Sequence, residues 1–139
     1  LPIASPYNPV DVTGSARDEH LIQAAEILLH SGEVDAVLWL PYYIVPGVTE
    51  KLNKEFMRLV SDINKSLQHP IPIVGVATGG SYTSRYSAEA ESMGIPMYLS
   101  PERAARAVKA LVDYGRWLRN VGTYSEYVEN IKRFLYSFS

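Results

Sequence analysis

Ile73-Val74-Gly75-Val76-Ala77-Thr78-Gly79-Gly80-Ser81 is an apolar run that breaks at a glycine pair. Residues at helical spacing follow it, with Tyr86, Ala90 and Met93 facing one way over about 82–93. It reads as a strand, and a further continuous apolar run at 36–40 suits a strand covered on both faces. Upstream, Pro70 and Pro72 close the clearest helix of the sequence, with Leu52, Phe56, Leu59, Val60, Ile63 and Leu67 on one stripe. A loop over 41–49 separates that helix from this second run, Ala36-Val37-Leu38-Trp39-Leu40. Downstream, Gly94 sits where a helix-ending residue in left-handed geometry is usual, and Pro96-Met97-Tyr98-Leu99 reads as a short strand. Ser100 is a natural N-cap and Pro101 a natural first-turn residue for the next helix. That helix is expected to bury Ala104, Val108, Leu111 and Val112.

Near the N-terminus, prolines at 2, 6 and 9 favour an extended entry, and residues 9–13 read as a further short strand. A helix over roughly 16–31 follows, capped by Ser15 or Asp18, with Leu21, Ala25, Leu28 and Leu29 inward. The last amphipathic stretch, Tyr124–Phe138, carries Val128, Ile131, Leu135 and Phe138 on its stripe. Tyr127, Phe134 and Tyr136 fall off the stripe, which fits either a docking surface or packing on two sides. Strands alternating with helices of this length call for an α/β fold, a parallel sheet with helices on both faces. The chain divides on this reading into a domain over 1–120 and a C-terminal amphipathic helix over 121–139.

The composition narrows the function classes. An apolar fraction of 47% with 20% charged residues rules out a disordered chain. No apolar run approaches the roughly 18 residues of a membrane span. The net charge of -2 offers no footprint for nucleic acid, and the densest basic stretch, Arg103 to Arg119, lies along one predicted helix. The first residues lack the pattern of a signal peptide. Absence of cysteine excludes disulfides and thiolate chemistry and fits a cytoplasmic location.

Ligands of an open parallel sheet bind beyond the carboxyl ends of its strands, where unpaired N–H groups and the helix dipole favour anions. Three loops qualify: Asn8 to Ser15, Pro41 to Thr49, and Thr78 to Ser81. In the third, Gly79 and Gly80 let backbone amides approach an anion while Thr78 and Ser81 add hydroxyls. A tight strand-to-helix turn capped by Ser81 explains the same residues. It is neither a Walker loop nor a dinucleotide fingerprint. The second loop, Pro41-Tyr42-Tyr43-Ile44-Val45-Pro46-Gly47-Val48-Thr49, is apolar and aromatic, so it lines a small organic pocket, packs against another domain or merely covers the core. Thr49 is placed to cap the helix after it. His20, His30 and His69 match no metal spacing and read as structural or surface residues. Asp11 is placed to accept the Thr13 or Gly14 amide and so fix the first loop.

Asn8-Pro9-Val10-Asp11-Val12-Thr13-Gly14-Ser15-Ala16 resembles the Asn-Pro-x-Asp-x-Thr-Gly-x-Ala segment of ADP-forming acetyl-CoA synthetases. It is similar also to the Asn-x-x-Asp-x-Gly-Gly segment of the succinyl-CoA synthetase β-subunit. Glu33-Val34-Asp35-Ala36-Val37, Gly79-Gly80, and Gly94-Ile95-Pro96 through Ser100-Pro101-Glu102-Arg103-Ala104 follow in the family's order, covering about residues 1–115. The resemblance implies the flavodoxin-like, three-layer α/β/α domain of NDP-forming acyl-CoA synthetases, with about four parallel strands in this chain. It implies that the family's central first strand is missing, that the chain is a fragment of a longer subunit, and that the sheet edge left open needs covering.

Such ligases interconvert acyl-CoA, NDP and phosphate with carboxylic acid, CoA and NTP through an acyl phosphate and a phosphohistidine. The resemblance places the phosphohistidine in another domain, so no catalytic residue is expected here and the chain is not expected to act alone. It implies partner CoA-binding and ATP-grasp domains or subunits. The full enzyme would use Mg²⁺, ATP or ADP, and CoA, with no cofactor or metal on this domain. Binding of acyl phosphate and of the phosphohistidine loop would fall to Asn8, Thr13, Gly14, Ser15, Tyr43, Ile44, Val45, Thr78, Gly79, Gly80 and Ser81. Asn8 matches the asparagine that contacts the acyl group, and Tyr42-Tyr43 stands where succinyl-CoA synthetase has Gly-Gly, which suits a smaller or more apolar acyl group. The alternative is a non-catalytic regulatory or assembly domain of the same ancestry, fused to or partnering another enzyme. Neither reading calls for nucleic acid or membrane.

Overall fold

The computed structural model describes residues 3–67 and 69–136. The elements run α1 (Asp18–His30), β1 (Val37–Trp39), α2 (Leu52–Ser66), β2 (Ile73–Val76), α3 (Ser81–Ser92), β3 (Met97–Tyr98), α4 (Pro101–Asn120) and α5 (Tyr124–Tyr136). The three strands form one parallel sheet in the order β1-β2-β3, with Trp39 beside Gly75 and Val76 beside Tyr98. This is an α/β fold consistent with the flavodoxin-like kind. The chain forms two compact units, Leu1–Ala104 and Ala105–Ser139. Their division falls inside α4, whereas residue 120 is where α4 ends.

The first unit is organised by the side-chain alternation of β1. Trp39 faces the helices and its ring stacks on Phe56 of α2, centroids 3.9 Å apart and planes 6° apart. Right-handed crossovers between neighbouring parallel strands put α2 and α3 on one face of the sheet, and α2 touches both α1 and α3. Leu52, Phe56, Val60 and Ile63 of α2 are buried there with Ala25, Leu29, Tyr86, Ala90 and Ile95. On the opposite face Val74 and Val76 are buried, while Leu38 and Leu40 stay exposed, so β1 is covered on one face rather than on both. Asn64 ties the end of α2 to the next strand: its Nδ2 donates to the Ile71 carbonyl and its Oδ1 accepts the Ile71 amide.

Several expectations need correction. Residues 9–13 form no strand; Asp11 makes an isolated antiparallel bridge with Ser5 instead. Pro6 and Pro9 lack the N–H donors a ladder needs, and Asp11 Oδ1 captures the Thr13 amide at 2.7 Å, so the backbone turns. The described residues therefore hold three strands rather than four. Neither Ser15 nor Asp18 caps α1, whose N-cap is Arg17; His20 Nδ1 accepts the Arg17 amide at 3.1 Å, a structural role. In α4 the predicted stripe is buried at Ala104 and half-buried at Val108, but Leu111 and Val112 are exposed. Those two lie past Ala104, outside the unit that holds the sheet. In α5, Val128 is half-buried and Ile131 and Tyr127 are exposed. Phe138, and the side chains of Phe134, Leu135 and Tyr136, lie outside what is described.

In the second unit Tyr114 stacks on Trp117 and meets Tyr127 edge-on, and the Arg119 guanidinium lies over Tyr124. Leu118 is buried.

Candidate functional site

Three loops lie side by side, the first leading into α1, the second following β1 and the third following β2. Asp18, at the start of α1, accepts the Thr49 amide at 2.9 Å through Oδ1 and the Thr49 hydroxyl through Oδ2. The Asp18 amide donates to the Gly47 carbonyl, and a Cβ on Gly47 would stand 2.2 Å from the Ala16 carbonyl oxygen. These contacts lock the end of the first loop against the second. The second loop meets the third at Ile44, whose Cγ2 lies 3.6 Å from the place a Gly79 Cβ would take.

Within the first loop, Thr13 takes φ 68° and its Oγ1 lies 2.9 Å from Ser15 Oγ. Asn8, Gly14 and Ser15 are exposed, Thr13 is half-buried, and the Asn8–Pro9 bond is cis. The third loop is exposed throughout, from Thr78 to Ser81. Gly79 and Gly80 have φ of 134° and 61°, in the region that favours glycine. Gly80, rather than Ser81, is the N-cap of α3, and no side chain caps that end. The first amides of α3 are thus free of side-chain oxygen from a cap, with the positive end of the helix dipole behind them. A shallow groove of about 250 Å³ begins at Gly80 and runs between α3 and β3, past Ser84, Ser87 and Leu99.

Among the second-loop residues, Ile44 is exposed and Val45 half-buried, but Tyr43 is 1% exposed. Its hydroxyl donates to Asn53 Oδ1 at 2.8 Å and its ring stacks on Tyr86 at 4.7 Å. Burial pushes the Tyr43 hydroxyl above the ordinary tyrosine range, against the bond to Asn53. Tyr42, at the head of the second loop, and Tyr82, at the start of α3, are exposed. Sequence reasoning missed Asp18, Gly47 and Asn53. Asn53 did leave a signal, as a polar residue three and seven positions before Phe56 and Val60 on a buried stripe. Among the described residues no group of three or more His, Asp and Glu is placed to hold a metal ion, and no helix is long and apolar enough to cross a membrane.

The chain is 32% identical over 125 residues to the α-subunit of an ADP-forming acetate–CoA ligase (isoenzyme II) from Pyrococcus furiosus. This is a domain related to the NDP-forming acyl-CoA synthetases. The match takes in 87% of this chain and 25% of that subunit, so the chain spans about a quarter of its relative's length. No family model and no solved structure matches the chain.

Proposed function

We propose that this synthetase-related domain forms part of an ADP-forming acyl-CoA ligase, where it binds the acyl phosphate and the phosphohistidine loop brought by a partner domain. The observation that carries the reading is the uncapped α3 N-terminus behind Gly79-Gly80, flanked by the Ile44 loop. Relatedness to a ligase α-subunit supports it. Backbone amides at Gly80 and Ser81 would receive a phosphoryl oxygen, and Ser81 and Thr78 hydroxyls would supplement them. Asn8 would bind the acyl group from the first loop. The exposed apolar side chains of the second loop would exclude water from the acyl chain. This chain's residues bind and orient; the phosphorylated histidine, the CoA site and the Mg²⁺–nucleotide site belong to partner domains or subunits in a cytoplasmic assembly.

The test is reconstitution with CoA-binding and ATP-grasp partners. Expected is acyl-CoA-dependent formation of ATP from ADP and phosphate, with an Asn8→Ala assembly showing an acyl-substrate KM raised about tenfold, the loss of one hydrogen bond to a polar substrate group. An assembly that binds acyl-CoA but makes no ATP, and instead alters the activity of a partner enzyme, would establish the regulatory reading in its place.

A further inference from the structure

Asn53 is 1% exposed and its amide is fully engaged. Its Oδ1 accepts the Tyr43 hydroxyl, and its Nδ2 donates to the Tyr86 carbonyl and to Glu89 Oε2, both at 3.0 Å. On the far side of Tyr43 the ring stack continues through Tyr86 to the Arg85 guanidinium, 4.7 Å from the Tyr86 centroid, and Arg85 pairs with Glu50 at 3.0 Å. The second loop is therefore tied at Tyr43 to α2 and α3 together. Because Tyr43 is held inward, its chain neighbours Tyr42 and Ile44 stay out, at 50% and 44% exposure. Tyr82 packs its ring against Tyr86 at 6.2 Å and is exposed as well.

We infer that Asn53 is a positioning residue for acyl recognition: it pins Tyr43 so that Tyr42 and Ile44, rather than Tyr43 and Val45, face the ligand and set the size of the acyl group. This rests on the ligase reading above. A buried amide with every group paired has one low-energy setting, and removing it leaves the Tyr43 hydroxyl buried without a partner. The loop then repacks, and the side chains beside the glycine turn move with it.

The experiment measures steady-state kinetics of the assembled ligase with carboxylic acids of increasing chain length. Asn53→Ala and the milder Tyr43→Phe are each expected to raise the acid KM at least fivefold while the KM values for CoA and nucleotide stay put. The double variant is expected to fall short of the product of the two, since both single variants already lose the Tyr43–Asn53 bond. Tyr42→Ala is expected to move the preference toward longer acids. Loss of kcat alone, equal for every acid and matching the folded fraction, overturns the inference, as does an unchanged chain-length preference in Tyr42→Ala. If the unmodified assembly has no ligase activity, the function fails separately. Hydrogen exchange on the 139-residue chain then decides the pin: amides of Tyr42 to Val45 must exchange at least tenfold faster in Tyr43→Phe, and unchanged exchange overturns it.

Discussion

Thr13 holds φ at 68°, a geometry that costs a side chain with a branched Cβ about 1–2 kcal/mol. The Asp11 carboxylate holds the turn in place through the Thr13 amide. Thr13→Gly is therefore expected to raise the thermal midpoint by a few degrees, the equivalent of about 1 kcal/mol, while losing the hydroxyl paired with Ser15. Gly47 presents the opposite case. Its missing Cβ leaves room for the Ala16 carbonyl, so Gly47→Ala is expected to destabilise by about 1–3 kcal/mol in chemical denaturation. Gly14→Ala, with nothing within 4 Å, should stay within about 0.5 kcal/mol and serves as the control. Tyr43 gives a pH dependence. Its hydroxyl ionises later in the folded state than in the unfolded chain, so its contribution is complete below pH of about 10 and declines as pH rises above that. A urea series from pH 8 to 11 should show this alkaline loss, and Tyr43→Phe should flatten it.

At the scale of elements, β1 and α2 are joined by one face-to-face ring pair, and Phe56→Ala is expected to cost about 3–5 kcal/mol. These elements were legible because the stripe of α2 and the apolar runs of β1 and β2 are long and unambiguous. The first loop was legible only in part: Asp11 accepts the Thr13 amide as its position in the sequence suggests, but Val10 and Val12 alternate as in a strand and hide that the backbone turns there. Of the site, the three loops could be placed by their position between elements, and Gly79-Gly80 by its conformational freedom. That Tyr43 points inward could not be read, because its partners Asn53 and Tyr86 are 10 and 43 residues away. In α4, Lys109 bonds Asp113 one turn on and holds its carboxyl below the usual range. An NMR titration should find the Asp113 midpoint moving up in Lys109→Ala; no movement would mean the pair does not form in solution.

The whole molecule joins a sheet-centred unit with a deep core to a helical unit in which most described residues of α4 and α5 are exposed. Opening free energies follow buried apolar contact, so amides of 105–136 should exchange before those of α2 under native conditions. The chain's two tryptophans fall one in each unit. Trp39 is 6% exposed, stacked on Phe56, and its indole N–H has no partner among the described residues; Trp117 is 55% exposed. The protein thus carries its own pair of optical probes. Iodide should quench the red-shifted emission of Trp117 and spare the blue-shifted emission of Trp39, so that a single spectrum follows the two halves separately without any dye.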